Sequence, residues 1–553
     1  MRSNPYAIRS SAGSTLVTVL VIGGVASITV AGMLALSGTS LRSAHGRGDW
    51  NAAFFHAENA LQWAAQGIAD ASPGASNYAA TANSTLNIAY MTAARADADS
   101  GFKNAWVKVI RPNNALPDNY LVTASAKVGD KVRTVQAAVR KNPPSQIFDY
   151  EYFLNNWGWW WGSTITGNGG NRANWDFDFR YNPIVNGLIL ANGNITQNGV
   201  KVDPFAGSTP FGGLAGSNPI DMVHSGVPRV QMPNLRDFTY YQTKALADTS
   251  ANGLWVGSTQ VVFGVHSDAS KPGLYLVGTA ANPIVIRNTV VIPGDVIIKG
   301  KITGKGTLYV GGNLYVAGDL TYNNGPNFTT SPETMTPANR DAWVLNNQST
   351  DLLAFAVRGS VLAGDVTSSD WKNNCYEPSG YGLKYCGDES HLGVDGIAST
   401  GDDNVSYLHS DGTTSTSYDA DGDGVIRGAY NYSTDLTMTS SRANLISGYP
   451  TSSGSPVGYD AVASNSMNKL DGVFYTNHAA AMRLAAADAV FHGALISRDE
   501  AIIFTSTLKF HYDSRIHSRY NNDPNRFVDL GLPVAEGLSL SGFTELTPDT
   551  SNL

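Results

Sequence analysis

Charge is scarce along this chain and cysteine nearly absent: 15% of the 553 residues are Asp, Glu, Lys or Arg, and there are two cysteines. Basic excess is missing as well. The 45 acidic side chains outnumber the 37 basic ones and leave a net charge of −8, so there is no positive field to gather nucleic acid, and that partner is excluded. The chain also lacks G-x-S-x-G, P-loop, dinucleotide-binding glycine and H-E-x-x-H patterns, so no common nucleophile, phosphate cradle or zinc-hydrolase site is written in it. With two cysteines, a disulfide-dense scaffold is excluded too. Cys375 and Cys386 lie in "NNCYEPSGYGLKYCGDE", whose Gly- and Pro-containing loop can fold back on itself. In an oxidising compartment the short loop closes as a disulfide, and in a reducing one it leaves two thiols. No His or Cys pair stands nearby to make this a closed zinc site.

What the chain has instead is glycine, 57 residues, together with 25 Tyr and 11 Trp, and 42% of its residues are hydrophobic. That combination predicts short strands, many turns and a large core, a mostly β chain of more than one domain. One segment stands apart. Leu16 to Leu36 carries no charge and is long enough to cross a ~30 Å hydrocarbon layer as a helix. It is longer than the apolar core of an ordinary secretory signal, although "ALSG" offers the small residues of a cleavage site. Arg2 and Arg9 before it and Arg42 and Arg47 after it balance, so charge does not orient the span. Trp50, Ala53, Phe54, Ala57, Leu61, Ala64, Ala65 and Ile68 then recur at steps of three and four, with Glu58, Gln62 and Gln66 opposite. This predicts a second, amphipathic helix, with Gly46 and Gly48 as a soft joint before it.

Gly13 followed by a small residue, the long apolar run, and "AAFFHAENALQ" together resemble the N terminus of type IV pilin-like proteins, in particular the PilX-like and minor pseudopilin branch. The resemblance covers about the first 70 residues. It implies a leader, 1–13, removed after Gly13 to leave Ser14 as the new N terminus. It also implies a single-pass inner-membrane anchor with the bulk of the chain extracytoplasmic, and partners in the lipid bilayer and in other pilin-like subunits. Thr18 stands where major pilins carry Glu, which by the same resemblance points to a filament-tip subunit or a membrane-held accessory.

Beyond the helical segment, 14–71, "AWVKVIRP", "NYLVTASAKV" and "KVRTVQAAVR" alternate apolar and polar residues, with Gly129-Asp130 placed as a hairpin turn. A small antiparallel sheet is expected over 72–144, ended by Pro143-Pro144. A repeat follows. Gly294, Gly300, Gly306, Gly312 and Gly318 are six apart, and Val296, Ile302, Leu308, Leu314 and Leu320 keep the same step two residues later. Gly187, Gly193 and Gly199 repeat it. Such short units cannot bury an apolar face alone and must stack, which predicts a β-solenoid, parallel β-helix-like, over 145–366 and again over 469–553 with the C-terminal tail. A β-sandwich with glycine-rich hairpins is the alternative. The stretch between, 367–468, is loop-rich, with ten acidic residues and only Arg427 basic between Gly387 and Asp435, and is expected as a surface decoration rather than core.

Three constellations are candidates for chemistry. In "DADGDG", Asp419, Asp421 and Asp423 fall at the first, third and fifth places of a calcium loop, Gly424 at the turn and the Val425 carbonyl as the next ligand. Tyr430 occupies the place where a complete loop has Glu, so the run is either a Ca²⁺ site completed from elsewhere or an acidic solvated turn. "NNWGWWWG" clusters Trp157, Trp159, Trp160 and Trp161, which either cap a solenoid end or offer rings to surface glycans or a protein. "FHYDSRIHSR" places His511, Asp513 and Arg515 at alternate positions, as on one face of a strand, with His517 following. A charged outer face or a carbohydrate-active site are the two readings of it. The expected function is association without catalysis: a membrane-anchored pilin-like component of a type IV pilus or type II secretion pseudopilus presenting the solenoid for adhesion or assembly. A tethered carbohydrate-active enzyme and a self-associating scaffold are the alternatives.

Overall fold

A computed structural model describes residues 46–62, 105–110, 119–141, 145–202, 222–378, 430–534 and 538–548 with short breaks, and a few isolated positions besides. The protein is mostly β, and its contacts divide it into two units, Met1–Pro143 with Glu536–Leu553, and Pro144–Ala535.

In the smaller unit, residues 46–62 are helical, and Gly46 and Gly48, expected as a joint, are helical with them. The predicted stripe does the packing: Ala53, Ala57, Leu61, Ala64, Ala65 and Ile68 are buried, together with Ala60. The small side chains let the helix lie close on Val107, Val109, Val122, Ala124, Val135, Ala137 and Val139 of an antiparallel sheet. Its strands are Leu86–Asn87, Ala105–Ile110, Asn119–Val128 and Lys131–Lys141, with a hairpin at Gly129-Asp130 where Gly129 has φ +58°. The fifth strand is a correction to the expected order. Leu538–Leu546, read from the sequence as a tail of the solenoid, adds antiparallel to Lys131–Lys141 instead. Trp50, expected within the stripe, is 48% exposed, with the Arg133 guanidinium 3.5 Å over its ring.

The larger unit is a barrel-like stack of parallel strands. Ile284–Ile292 pairs residue for residue with Ile302–Val310, eighteen positions on, and Val296 pairs with Leu314 at the same offset. One turn of the stack is therefore three of the six-residue units seen in the sequence. Val296, Ile302, Leu308, Leu314 and Leu320 all point into one interior cluster, along which Phe355, Phe474, Phe491 and Phe510 stand in file with ring centroids 4.2–5.5 Å apart. Val296–Val310 is a single strand bent round two corners, and glycine makes the bends possible. Gly300 has φ +94°, and a Cβ there would lie 2.0 Å from the Gly278 carbonyl oxygen of the neighbouring turn.

The order of the turns was not visible in the sequence. The stack runs from Gly273–Gly278 and Ile284–Ile292 through Val296–Val310, Leu352–Val357 and Lys469–Thr476 to Ala489–Ser497 and Leu508–Tyr512. Onto these last strands dock the earliest ones, Tyr152–Leu154 on 495–497 and Ile165–Asn168 on 508–511, continued by Asn171–Ala173 and Ile189–Ala191. The segment 469–512 thus lies between two blocks, 152–191 and 273–363, both of which precede it in sequence.

The stretch 367–468 is corrected in part. Its described portions are not mere decoration: Trp371, Tyr376, Leu383, Leu436 and Tyr459 form a second core against the outward side chains Ile297, Tyr315, Leu362, Ala481 and Ile502. A third cluster joins Met232, Leu235, Tyr241 and Leu530 to Val291, Tyr309, Tyr475 and Ile496 on another face. Outward tyrosines fasten these covering segments by donating to their carbonyls, Tyr309 to Gly531 at 2.6 Å, Tyr512 to Phe148 at 2.6 Å, Tyr315 to Leu436 at 3.1 Å, and Tyr475 to Pro233.

Among the described residues no helix is long and apolar enough to cross a membrane. The expected span Leu16–Leu36 lies outside the described residues except for Met33, and Gly13 and Ser14 lie outside them as well. Replacing Gly300 by Ala forces a side chain into positive φ against a neighbouring carbonyl. The expected outcome is a loss of about 1–3 kcal/mol, read from thermal or urea unfolding beside the wild type.

Candidate functional site

One stretch of the barrel-like stack carries polar side chains at one register position on four successive strands and just past the end of a fifth. Asp471 pairs with His492, His492 with His511 and His511 with Asn168, and Asn186 follows Val185 in the next strand. The side chains touch along this column. Asp471 Oδ1 lies 2.8 Å from His492 Nδ1, the His492 and His511 ring centroids are 5.4 Å apart, His511 Nδ1 is 3.3 Å from Asn168 Nδ2, and Asn186 Nδ2 donates to Asn168 Oδ1 at 2.8 Å. Phe328 lies flat on His492, centroids 4.3 Å apart and planes 7° from parallel.

The contacts fix the protons. Asp471 accepts from His492 Nδ1–H, and Asn168 donating to His511 Nδ1 puts the proton of the neutral His511 ring on Nε2. Burial, then His492 and Lys509, push His511 down to about 4, so its ring is neutral at neutral pH. The column thus sets a neutral His511 ring, with its Nε2–H as donor, beside His492 on its Asp471 partner, both rings half-buried, with exposed Lys469 and Lys509 two residues back on the strands of Asp471 and His511. The steps that bring this column together, 21 residues from Asp471 to His492 and 19 on to His511, match the strand register and not the hexad, so only the pairing reveals it.

The "FHYDSRIHSR" residues are split by the structure. His511 joins the column. Asp513 and Arg515 are both 1% exposed and face each other, with Arg515 Nε donating to Asp513 Oδ1 at 2.9 Å and Nη2 to Oδ2 at 2.6 Å. Arg515 also donates to the carbonyls of Asn347 and Asp351 and to Thr350 Oγ1. This is a clamp that holds the end of the helix Pro337–Asn346 and the loop after it against the stack. The expectation that His511, Asp513 and Arg515 share an outer face is therefore corrected. Strand Leu508–Tyr512 ends before Asp513, which caps the 3₁₀ turn Ser514–Ile516 and turns inward. His517 sits 3.3 Å from Asp149 Oδ1, and burial, then Arg519 and Arg340, push it down to about 3.

The tryptophans also divide. Trp160 is buried in the interior cluster and donates to Asn171 Oδ1 at 2.8 Å, while Trp157, Trp159 and Trp161 are half-buried on the outer side. Trp157 stacks on Trp159, and Arg180 lies 4.5 Å over Trp161. Cys375 is fully buried in the second core, and burial raises its thiol far above the ordinary value. Its expected partner Cys386 lies outside the described residues, as do Asp419, Asp421, Asp423 and Val425 of the expected calcium loop. Among the described residues no group of three or more His, Cys, Asp or Glu is placed to hold a metal ion.

No family model matches this chain, and no curated protein matches it. Among solved structures, the crystal structure of the competence-associated pilin ComZ from Thermus thermophilus is similar over 90% of this chain and 97% of that one, with 9% sequence identity and a TM-score of 0.27. A likeness at that TM-score carries no argument for this chain.

The clamp reading has a direct check. Asp513→Asn strands the Arg515 guanidinium without its counter-charge, and the expected cost is about 3–5 kcal/mol in urea unfolding.

Proposed function

We propose that this chain is a non-enzymatic, pilin-like structural protein of the cell surface, held in the inner membrane by its N-terminal helix and carrying its larger unit outside the cytoplasm. The observation that carries this reading is the smaller unit. The helix after the apolar segment seats a stripe of alanines and Leu61 on an antiparallel meander, the arrangement implied by the Gly13-led apolar run and "HAENAL". Its partners are then the lipid bilayer and other pilin-like subunits, reached through the Leu16–Leu36 segment, in a type IV pilus or a type II secretion pseudopilus.

In this reading the larger unit is one interrupted β-solenoid serving adhesion or assembly. Its covering segments support the reading, because a stack with clothed faces presents loops to a partner and shields its strands from casual pairing. The outer rings of Trp157, Trp159 and Trp161 suit surface glycans. The consumption of Asp513 and Arg515 in a buried pair supports association over turnover. An extracytoplasmic location makes Cys375 and Cys386 a disulfide.

Two measurements test this. Mass spectrometry of the protein purified from membranes or sheared filaments is expected to find Ser14 at the N terminus, and an intact Met1–Gly13 leader on all of the mature protein overturns the pilin-like reading. Ca²⁺, bound by Asp419, Asp421, Asp423 and the Val425 carbonyl, is expected to raise the thermal midpoint, and Asp421→Ala to abolish the rise; an unchanged midpoint on calcium addition ends the calcium proposal.

A further inference from the structure

Glu151 stands at the joint where the early strands dock on the late ones. Its main chain is part of that joint: its N–H donates to Gly170 O, and its carbonyl accepts from Leu495 N, each at 2.8 Å. The strand that follows it, Tyr152–Leu154, lies between 495–497 and 171–173. Its side chain is fully buried. The carboxyl occupies space that Gly167 and Gly169 leave: a Cβ on Gly167 would lie 2.7 Å from Oε1 and 3.6 Å from the Trp160 ring, and one on Gly169 would lie 2.8 Å from Oε2. Neither oxygen meets a donor at ordinary hydrogen-bond distance and angle. The Asn168 and Tyr512 backbone amides favour the ionised carboxyl, an effect that burial outweighs.

The groups round it offer no counter-charge. From the early strands come Gly167, Asn168, Gly169 and Trp160. Strand Leu508–Tyr512 supplies Tyr512, and beyond it Asp513 is already closed on Arg515. From the covering turn Pro332–Thr334 comes Glu333, a like charge, whose own cations are Arg340 at 3.0 Å and Arg519 at 3.7 Å. On its own segment Asp149 accepts from Ser518 and faces His517. A carboxylate at Glu151 would be a buried, unpaired anion beside a second anion, whereas the protonated acid fits.

We propose that Glu151 is a proton-operated latch on this joint: the strands of 152–191 stay docked on 489–512 while its carboxyl carries a proton, and the joint loosens when the proton leaves to solvent. Burial first, and then the Glu333 charge, raise the carboxyl well above its ordinary 4.5. The sign follows. The acid is protonated in both folded and unfolded chains below 4.5, so the joint is at full strength there, and it weakens as pH rises toward the folded value.

The test uses the full chain. Infrared spectroscopy is expected to show a protonated-carboxyl band that persists above pH 4.5 and that Glu151→Gln removes. Hydrogen exchange over 152–154, 165–168 and 508–511, corrected for intrinsic rate, is expected to lose protection as pH rises above 4.5, by up to about tenfold per pH unit while the band persists, and to level off as the band disappears. In Glu151→Gln that protection is expected to be independent of pH, and Glu333→Gln, which removes a like charge, is expected to move the loss of the band to lower pH. Absence of the band in the wild type above pH 4.5, or protection that stays constant with pH while the band persists, overturns the latch, and both readings are made on the wild type whether or not the variants fold. An equal pH slope in wild type and Glu151→Gln overturns it as well.

Discussion

A short strand pointing Val, Ile or Leu inward and its backbone amides sideways is stable only when another strand lies on each side of it. That constraint governs the larger unit. Each turn uses its neighbours to satisfy its N–H and C=O groups and to complete the interior file of aliphatic and phenyl side chains, so no turn stands alone. The same pairing dictates composition. Where two turns come closest at a bend, the backbone of one occupies the space a Cβ of the other would need, as at Gly300 against Gly278 and Gly493 against Gly472. Glycine is abundant because corners recur, and the hexad is the spacing from one corner to the next.

The stack has outward side chains too, and how they are treated separates this protein from a bare coil of strands. Tyr309, Tyr315, Tyr475 and Tyr512 point away from the interior and yet are almost wholly buried. Their rings lie under covering segments, and their hydroxyls donate to carbonyls in those segments. Corner asparagines do the same with amides. Asn174 both donates to and accepts from Val230, and Asn192 donates to Val227, so the returning chain is bonded to consecutive turns. Arg515 is the heaviest case, a buried cation that holds three carbonyls or hydroxyls of one loop while Asp513 neutralises it.

These features explain which parts of the structure could be read from the sequence. The hexad of Gly294 to Gly318, the stripe from Ala53 to Ile68 and the hairpin at Gly129-Asp130 are local patterns; the stripe is the buried face of the helix, the hairpin is formed, and the hexad appears as parallel strands paired eighteen residues apart. The order of the turns is not local. Nothing in "EYFLNN" reveals that Tyr152 will pair with Leu495, more than three hundred positions away. Trp371, Tyr376 and Tyr459 were hidden by averaging, because each aromatic is diluted by Ser, Thr, Gly and Asp that stay in solvent. The column Asp471, His492, His511 and Asn168 was hidden by register. Asp513 and Arg515 misled for the opposite reason, since alternation places side chains on one face only while the strand lasts, and this strand stops at Tyr512.

The return of the chain at its end has a consequence for how the whole is made. The larger unit, Pro144–Ala535, is inserted between the fourth and fifth strands of the small sheet. Lys131–Lys141 therefore has an unpaired edge until Leu538–Leu546 arrives, with Glu545 meeting Arg133. Within the insertion the same delay recurs. The earliest strands, 152–173, cannot find their partners at 495–511 until nearly all of the stack between has been synthesised. Both closures join residues hundreds of positions apart, and both carry the loop-closure cost that makes such contacts form late. Asn171 beneath Trp160 and Asn174 on Val230 are, by contrast, bonds made within 152–235, which do not depend on the late partners.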